Sequence, residues 1–537
     1  MILPSLLNRP VQLNAIALWI MAVIVLVPSL LWSQSQNLPL DHWAYTFLDR
    51  LETKGLYISE DFDTRPYSRE AIAEIILQIN KNVQKNPSLL SSVEWGLFEQ
   101  LKGEFYEELN SSHNSIDIRK KEYEPHLLTW RNEEIIVRGD GLLGHQNKFE
   151  SRKEVDSSIP KSMSFLGFAL RVDLKKSLAI FAEERTFFSG DTDSLSGNVF
   201  NPSLSLPITL EGGDVAITDK AIGYAVARLP WLDIEGGRDL VEWGPGIRGN
   251  FSLSRNSDVY DLFKFDFRYK KFKFESFHAF LNSDSTKYLA GRRIEVRPFR
   301  NFQFAISETV VYGNRSIEFL YVNPFIPINV AERHLGDKDN NTISFDFTIF
   351  MKKRIKFYSE IFLDDFSFHK NLFNNYGNKW AVLVGGYWID PFGVKNTDLR
   401  FELLRIQPFV YTHRISINTY TNYNNIIGHW LGPNADDWYF EISHQPHRNL
   451  RFGIFWEQRR RGDNDINRGT PPADGKIHFL DGVVERNRFY GILVQWQIRR
   501  DIFLSAIYNF IQSKNLRHQE SLNQNNHRLL LQFSLNY

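Results

Sequence analysis

The chain has 537 residues, 63 basic and 63 acidic side chains, a formal net charge of zero and no cysteine. That length allows several soluble domains or one large domain with an appendage. The charge balance gives no global attraction to nucleic acid or anionic membrane, and the lack of thiols removes disulfide frameworks, thiolate nucleophiles and Cys-based zinc sites.

Residues 15–32 form a long, largely apolar run, AIALWIMAVIVLVPSLLW, preceded by Arg9. It reads as a secretory signal over 1–33, with its apolar core near 15–27 and cleavage near Ser33. An uncleaved helical anchor is the alternative, since about 18 apolar residues nearly span a bilayer.

Residues 34–123 differ from the rest and predict a small periplasmic helical domain. Trp43, Phe47, Leu48 and Leu51 fit a short amphipathic helix stopped at Gly55. Ser68 is placed to cap a second helix carrying Ile72, Ile75, Ile76 and Ile79, without a full capping box because Ala71 stands where Glu or Gln would complete it. A third helix is expected over 91–109. The residues His42, Trp43, Leu51, Gly55, Leu56, Arg65, Pro66 and Arg69 resemble a single S-layer-homology-like module. Such a module implies contact with peptidoglycan or another wall polymer. The other reading, favoured because one repeat is evident, is a packed helical appendage.

From residue 124 to 537, short alternating segments recur between Gly, Asn and Pro punctuation. They include RRIEVRP, TISFDFTIF, RISINTY and RFYGILVQWQI. Helical crossovers have no room, so the expected fold is mainly β. It is a large transmembrane antiparallel β-barrel of about 18 strands, at about 23 residues per strand and connection. In the hairpin 259–281, Phe263, Phe265, Phe267 and Tyr269 share one parity, and Lys264, Asp266 and Arg268 share the other. A period of two puts the rings on lipid and the charges in the lumen. Phe277 breaks the pattern, which admits a bulge, a lumen-facing aromatic or emergence from the membrane. The turns at 270–271 and 352–354 read as short. The connections 284–290, 364–379, 421–437 and 459–488 read as long and polar. The final segment, HRLLLQFSLNY, places Leu529, Leu531, Phe533, Leu535 and Tyr537 on one face, as a closing barrel strand would.

Three blocks carry a family resemblance: GGRDLVEWGPG at 236–246 with SLSRNS at 252–257, NPFIPINVAERHLGDKDNNTISFDF at 323–347 with YSEIFLDDF at 358–366, and LGPNADDWYFEIS at 431–443. In their order and separation the chain resembles the Wzi family of capsule-assembly outer-membrane proteins. The resemblance implies a barrel in outer-membrane lipid, with its helical part in the periplasm. It also implies non-enzymatic attachment, retention or assembly of capsular or related polysaccharide. A polysaccharide or small-solute channel is the alternative, and an outer-membrane glycan hydrolase a weaker one.

The first block has the glycines and proline of a plug or bend, and lacks the GxxxxGK[ST] of a phosphate loop. Arg238, Asp239, Glu242, Glu332, Asp337, Asp339, Glu360, Asp364 and Asp365 are the candidate lumen or plug network. Glu332, Asp337 and Asp339 offer oxygen ligands. Their spacing lacks the EF-hand series, and Arg333 and Lys338 compete as ion-pair partners, so no metal is expected. Glu360, Asp364 and Asp365 carry the hydrolase alternative, but no nucleophile–base motif accompanies them, so no catalytic residue and no cofactor is assigned. The candidate glycan-binding residues are Trp430, Asn434, Asp436, Asp437, Trp438, Tyr439, Arg459, Arg460 and Arg461, with Asn424 and Asn425 nearby. Ring faces suit pyranose CH groups, amides and carboxylates suit hydroxyls, and the arginines suit an acidic polymer. The other reading is an interfacial aromatic belt with folded loops, the arginines lying near charged headgroups.

Overall fold

The computed structural model describes residues 35–111, 126–151, 161–174, 178–189, 208–209, 216–365, 371–463, 466–467, 469–470 and 472–536. The signal segment, the boundary at 123/124 and Tyr537 lie outside the described residues.

Alternating sequence becomes a closed antiparallel barrel of 18 strands. In chain order these are β1 (Ile135–Glu150), β2 (Ser162–Leu174), β3 (Leu178–Ser189), β4 (Ala216–Arg228), β5 (Leu232–Asp239) and β6 (Tyr260–Tyr269). There follow β7 (Phe272–Phe280), β8 (Lys287–Phe299), β9 (Phe302–Gly313), β10 (Asn340–Met351), β11 (Ile355–Asp365) and β12 (Lys379–Ile389). The last are β13 (Thr397–Ile406), β14 (Ala435–His447), β15 (Leu450–Arg461), β16 (Glu485–Arg499), β17 (Ile502–Lys514) and β18 (Gln524–Asn536). Each pairs with its neighbour, and β18 closes on β1, from Arg528 opposite Glu150 to Asn536 opposite Leu142. Closure leaves no strand edge unpaired, which a bilayer requires.

The hairpin of β6 and β7 keeps its expected faces. Lys264 pairs with Glu235 at 2.9 Å, and Asp266 with Lys273 at 3.2 Å, all buried inside. Phe263 and Phe265 meet edge to face outside, with ring centroids 4.6 Å apart. The register of β7 is unbroken on both sides, so Phe277 is a lumen-facing aromatic rather than a bulge. Its ring meets Trp243 at 5.4 Å and is buried there.

Short turns at 270–271, 300–301, 352–354, 448–449 and 500–501 gather at one end, and the connections 240–259, 314–339, 407–434 and 462–484 at the other. Three differences from the expected pattern follow from tertiary contacts. Residues 287–290 belong to β8 rather than to a loop. RISINTY is not a strand: residues 414–420 lie within the connection 407–434 and include a short 3-10 turn. The connection 314–339 contains two unexpected helices, α5 (Phe319–Val322) and α6 (Ile328–Leu335), numbered after the four below.

The N-terminal helices α1 (Ala44–Thr53), α2 (Arg69–Lys85), α3 (Ser92–Glu104) and α4 (Tyr106–Ser111) pack under the short-turn end. The expected third helix is thus divided at Phe105. The Ser68 hydroxyl accepts from the Ala71 N–H at 3.0 Å, as expected. Ser91 and Glu94 form a full capping box on α3, a start signal also present in the sequence. Ile72, Ile75, Ile76 and Ile79 are all buried, each contributing about 1.5–3 kcal/mol relative to exposure. The bundle is tied to the turns by charge. Arg50, paired with Glu94 inside the bundle at 2.8 Å, also donates to Asp390 of the β12–β13 turn at 2.5 Å, and Arg297 near the end of β8 donates to Glu52 at 2.7 Å.

Candidate functional site

The lumen is filled from two sides. The connection 240–259, which contains all of the Gly- and Pro-rich block except the Gly236–Asp239 end of β5, folds inward rather than away from the barrel. Trp243 is fully buried and donates its indole N–H to Glu275 at 2.7 Å. Its backbone N–H donates to the Leu253 carbonyl at 3.1 Å. Gly244 has φ +121°, and a Cβ there would stand 2.5 Å from Asn250 Oδ1, so the turn needs glycine. Wall carboxylates pin the rest. Glu360 accepts the backbone N–H groups of Phe251 at 2.8 Å and Ser252 at 3.2 Å, and Glu402 accepts that of Ile247 at 2.9 Å. Arg248 pairs with Glu457 at 2.9 Å.

The connection 407–434 folds over this plug. The hydroxyls of Tyr411 and Tyr420 donate to the carbonyls of Phe251 (3.0 Å) and Ser252 (2.8 Å), and the Trp430 indole donates to that of Arg248 (2.8 Å). The two connections share one buried apolar core with the wall, including Trp243, Phe251, Tyr260, Phe277, Phe362, Tyr411 and Tyr420.

Beside the plug lies a cavity of about 800 Å³. Asn37 and Asp41 line its lower part, and Glu183, Arg185 and Lys220 its wall. Asn424, Asn425, Trp430, Arg459, Arg461, Asn487 and Phe489 line the part nearest the long connections. The Arg459 guanidinium stands over the rings of Trp430 and Phe489 at 4.6 and 4.4 Å. Lys220, Arg248, Arg255 and Asn487 join this lining without having been singled out in the sequence. They come from strands and plug far apart in the chain, and their only local signal is their place beside the Gly-rich block or a strand end.

Below the cavity, the shifted groups of the helical bundle include His42 and Glu104. Burial pushes the His42 imidazole down to about 4. Burial pushes Glu104 upward, but Arg69, His42, Arg171 and Arg500 outweigh it and hold the carboxyl at about 2.

The acidic candidates do not converge. Asp239 is buried and accepts from Asn37 at 3.1 Å, while Arg238 points the other way, toward Asp261 at 3.6 Å and the Tyr423 hydroxyl at 3.3 Å. Glu242 lies near Arg255 at 3.4 Å and Arg65 at 3.6 Å. Asp364 accepts the Tyr411 N–H at 2.6 Å, and Asp365 pairs with Lys379 at 2.6 Å. Asp339 pairs with Arg315 and accepts the Tyr321 hydroxyl at 2.7 Å. Glu332 accepts from Asn341 at 2.9 Å, and Asp337 is exposed, its carbonyl accepting from Arg414 at 3.0 Å. Among the described residues no three metal-ligating side chains gather.

The glycan candidates divide. Trp430, Arg459 and Arg461 line the cavity. Tyr439 and Asp437 lie behind Arg248, with Arg248 4.2 Å from the Tyr439 ring and 3.8 Å from Asp437. Asn434 is buried and accepts the Leu480 N–H at 2.7 Å. Asp436 and Arg460 pair with each other, and Trp438 is 44% exposed on the outward face of β14.

A family model described as capsule assembly protein Wzi matches residues 218–528, more than half of the chain. No curated protein matches it in sequence. Among solved structures, the chain is similar to Escherichia coli Wzi, described as an outer-membrane protein involved in group 1 capsule assembly and a carbohydrate-binding β-barrel. The TM-score is 0.62 at 12% identity, over 94% of this chain and 100% of that one. Acinetobacter baumannii OccAB1 matches with a TM-score of 0.44 at 8% identity, over 74% of this chain and 96% of that one. Pseudomonas aeruginosa OprD matches at 0.42 and 10%, over 74% and 95%.

Proposed function

Because the chain belongs to the capsule assembly protein Wzi family, we propose that it attaches, retains or assembles capsular or related polysaccharide at the cell surface, as a non-enzymatic outer-membrane barrel. The short-turn end, with its docked helices, faces the periplasm, and the long connections face outward. The observation that carries the reading is the cavity beside a plugged lumen. Trp430 brings a partly buried ring with Arg459 over it, Asn424, Asn425 and Asn487 bring amides, and Arg459, paired with Glu457, and Arg461 bring guanidinium groups. That mixture suits an acidic sugar chain, since rings take the CH faces while amides and arginines take hydroxyls and carboxylates. Glu360 accepts backbone donors from the plug and Asp364 one from the connection folded over it, which supports a holding role for them rather than glycoside hydrolysis.

The helical segment, read here as a domain over 34–123 preceding a barrel domain over 124–537, serves as a docked base. Its S-layer-like residues are engaged within the protein: Arg69 with Glu108 at 2.5 Å, Arg65 with Glu242 at 3.6 Å and His42 with Glu104 at 4.0 Å. Peptidoglycan contact is therefore the weaker reading, and co-sedimentation with purified sacculi tests it.

Binding of the purified, folded protein to capsular polysaccharide from its own host tests the main reading. Trp430→Ala and Arg459→Ala are expected to weaken that binding. Retention of full affinity in both variants removes the cavity as the site, and no binding by the unsubstituted protein removes the function.

A further inference from the structure

The barrel wall at β7–β10 is covered on its outside. Side chains alternate across each strand. On β8, Arg293 and Glu295 point inward, and Arg293 donates to Asp346 at 2.6 Å and to Thr64 of the helical segment at 3.0 Å. Tyr288, Ala290 and Arg292 therefore point outward. By the same register so do His278 on β7, Glu308, Val310 and Tyr312 on β9, and Asn341 on β10. A barrel keeps this face apolar, because charge against lipid becomes costlier toward the midplane. Here the polar groups are consumed by residues 315–335. Arg292 donates to the carbonyls of Tyr321 (3.0 Å), Asn323 (2.6 Å) and Ile326. Glu308 accepts the Ile328 N–H at 2.8 Å. Outward Tyr288, Ala290, Val310 and Tyr312 form a buried core with Tyr321, Ile328 and Ala331 of the same segment. Residues 315–335 are thus a flap clamped to the outer wall.

Between Phe319 and Val330 the flap's exposed side chains are apolar apart from Asn323, and Arg333 and His334 are exposed at its end. Phe325 is 87% exposed, Phe319 75% and Val330 44%. Two residues along the same strand faces from Arg292 and Glu308 stand the exposed Ile294 and Ile306, so the flap continues the lipid-facing belt. The heights require that continuation. Below the flap, the bare outer face spans only 294–299 on β8 and 302–306 on β9. At about 3.3 Å per residue and about 40° of tilt this is roughly 13–15 Å, against an apolar band of about 25 Å. On β16 the exposed Tyr490, Ile492, Trp496 and Ile498 span 490–498 with no flap over them, which by the same arithmetic is roughly 23 Å.

We propose that the flap at 315–335 is seated in the outer leaflet, with Phe319, Phe325 and Val330 against lipid acyl chains. On this side the loop, not the wall, completes the membrane belt, and Arg292 and Glu308 are its anchors. The inference rests on the outer-membrane reading and not on polysaccharide binding.

The chain has no native cysteine, so single nitroxide labels report cleanly. Phe325→Cys, Val330→Cys, Ile492→Cys as a belt reference and Glu520→Cys as an aqueous-loop reference are labelled in the full chain and reconstituted in phospholipid bilayers. Labels at 325 and 330 are expected to match 492: relaxed by molecular oxygen, with loss of the relaxation by a water-soluble nickel chelate seen at 520. Nickel accessibility at both sites equal to that at 520 overturns the proposal. Shielding of both from oxygen and nickel alike also overturns it, because the flap would then be covered by protein, such as a second copy.

Discussion

Replacing Trp243 by alanine should open the plug without opening the barrel. Its side chain is fully buried, meets Phe277 edge-on at 5.4 Å and donates to Glu275 at 2.7 Å. Truncating a buried Trp to Ala costs about 3–5 kcal/mol, and leaving the Glu275 oxygen without its donor adds about 1–3 kcal/mol. The barrel ladder makes no use of the indole, so this cost falls on the seating of 240–259. Some 4–8 kcal/mol corresponds to roughly a thousandfold or more in the opened population, at about 1.4 kcal/mol per tenfold. Planar-bilayer recordings of the purified variant should show openings absent from the unsubstituted protein. Limited proteolysis should cut within 240–259 while the sheet's circular dichroism is unchanged. A silent variant with an uncut plug would show that Trp243 does not hold the lumen closed.

The helical base should loosen in acid. His42, held neutral by the fold with a pKa near 4 against 6.5 unfolded, contributes stability that is intact above pH 6.5 and lost as pH falls through 4. Glu104, depressed from 4.5 to about 2, extends the loss to lower pH. Glu74, pushed up to about 7 by burial, gains stability between pH 7 and 4.5 and offsets the upper part of this loss. Proteolysis of residues 35–111 should therefore rise mainly below about pH 4.5, and His42→Gln should resist it more than the unsubstituted protein between pH 6.5 and 4; identical profiles refute the assignment. Lys270 holds φ +56° in the β6–β7 turn, so Lys270→Gly should raise stability by about 1 kcal/mol, read as a higher urea midpoint, and a lower midpoint contradicts this. Arg459→Ala should weaken acidic-polysaccharide binding about tenfold, the weight of one charge-assisted contact of roughly 1.5 kcal/mol, and reduce its salt dependence. Equal salt dependence in both proteins would take Arg459 out of the contact.

The barrel was legible because lipid and lumen impose opposite chemistry on alternate residues, as Phe263 to Arg268 display. The inward turn that follows β5 was legible from Gly244, Pro245 and Gly246. The carboxylates that receive it were not, since Glu275, Glu360, Glu402 and Glu457 lie on separate strands and read only as lumenal charge. Parity alone left Phe277 open, because an aromatic inside a barrel makes sense only once Trp243 is there to meet it. RISINTY alternates as a strand does, yet its Tyr420 is buried in the core shared with the plug, while Ile415 stays exposed. In RRIEVRP both parities carry arginine, and nothing local says that one of them, Arg292, is covered from outside. Asp436 and Trp438 lie near Asp437 and Tyr439 in sequence, yet along β14 alternate residues face opposite ways, so Asp437 and Tyr439 meet Arg248 inside while Trp438 faces out.

The most direct test of the account is the partition of capsular polysaccharide between cells and medium after deletion of the chain. Retention by this protein predicts a shift of polymer of unchanged chain length from the cell surface to the medium, restored by the unsubstituted gene and not by a Trp430→Ala, Arg459→Ala double variant that still inserts in the outer membrane. Unchanged partition on deletion, in cells where the protein is normally abundant and folded, contradicts it.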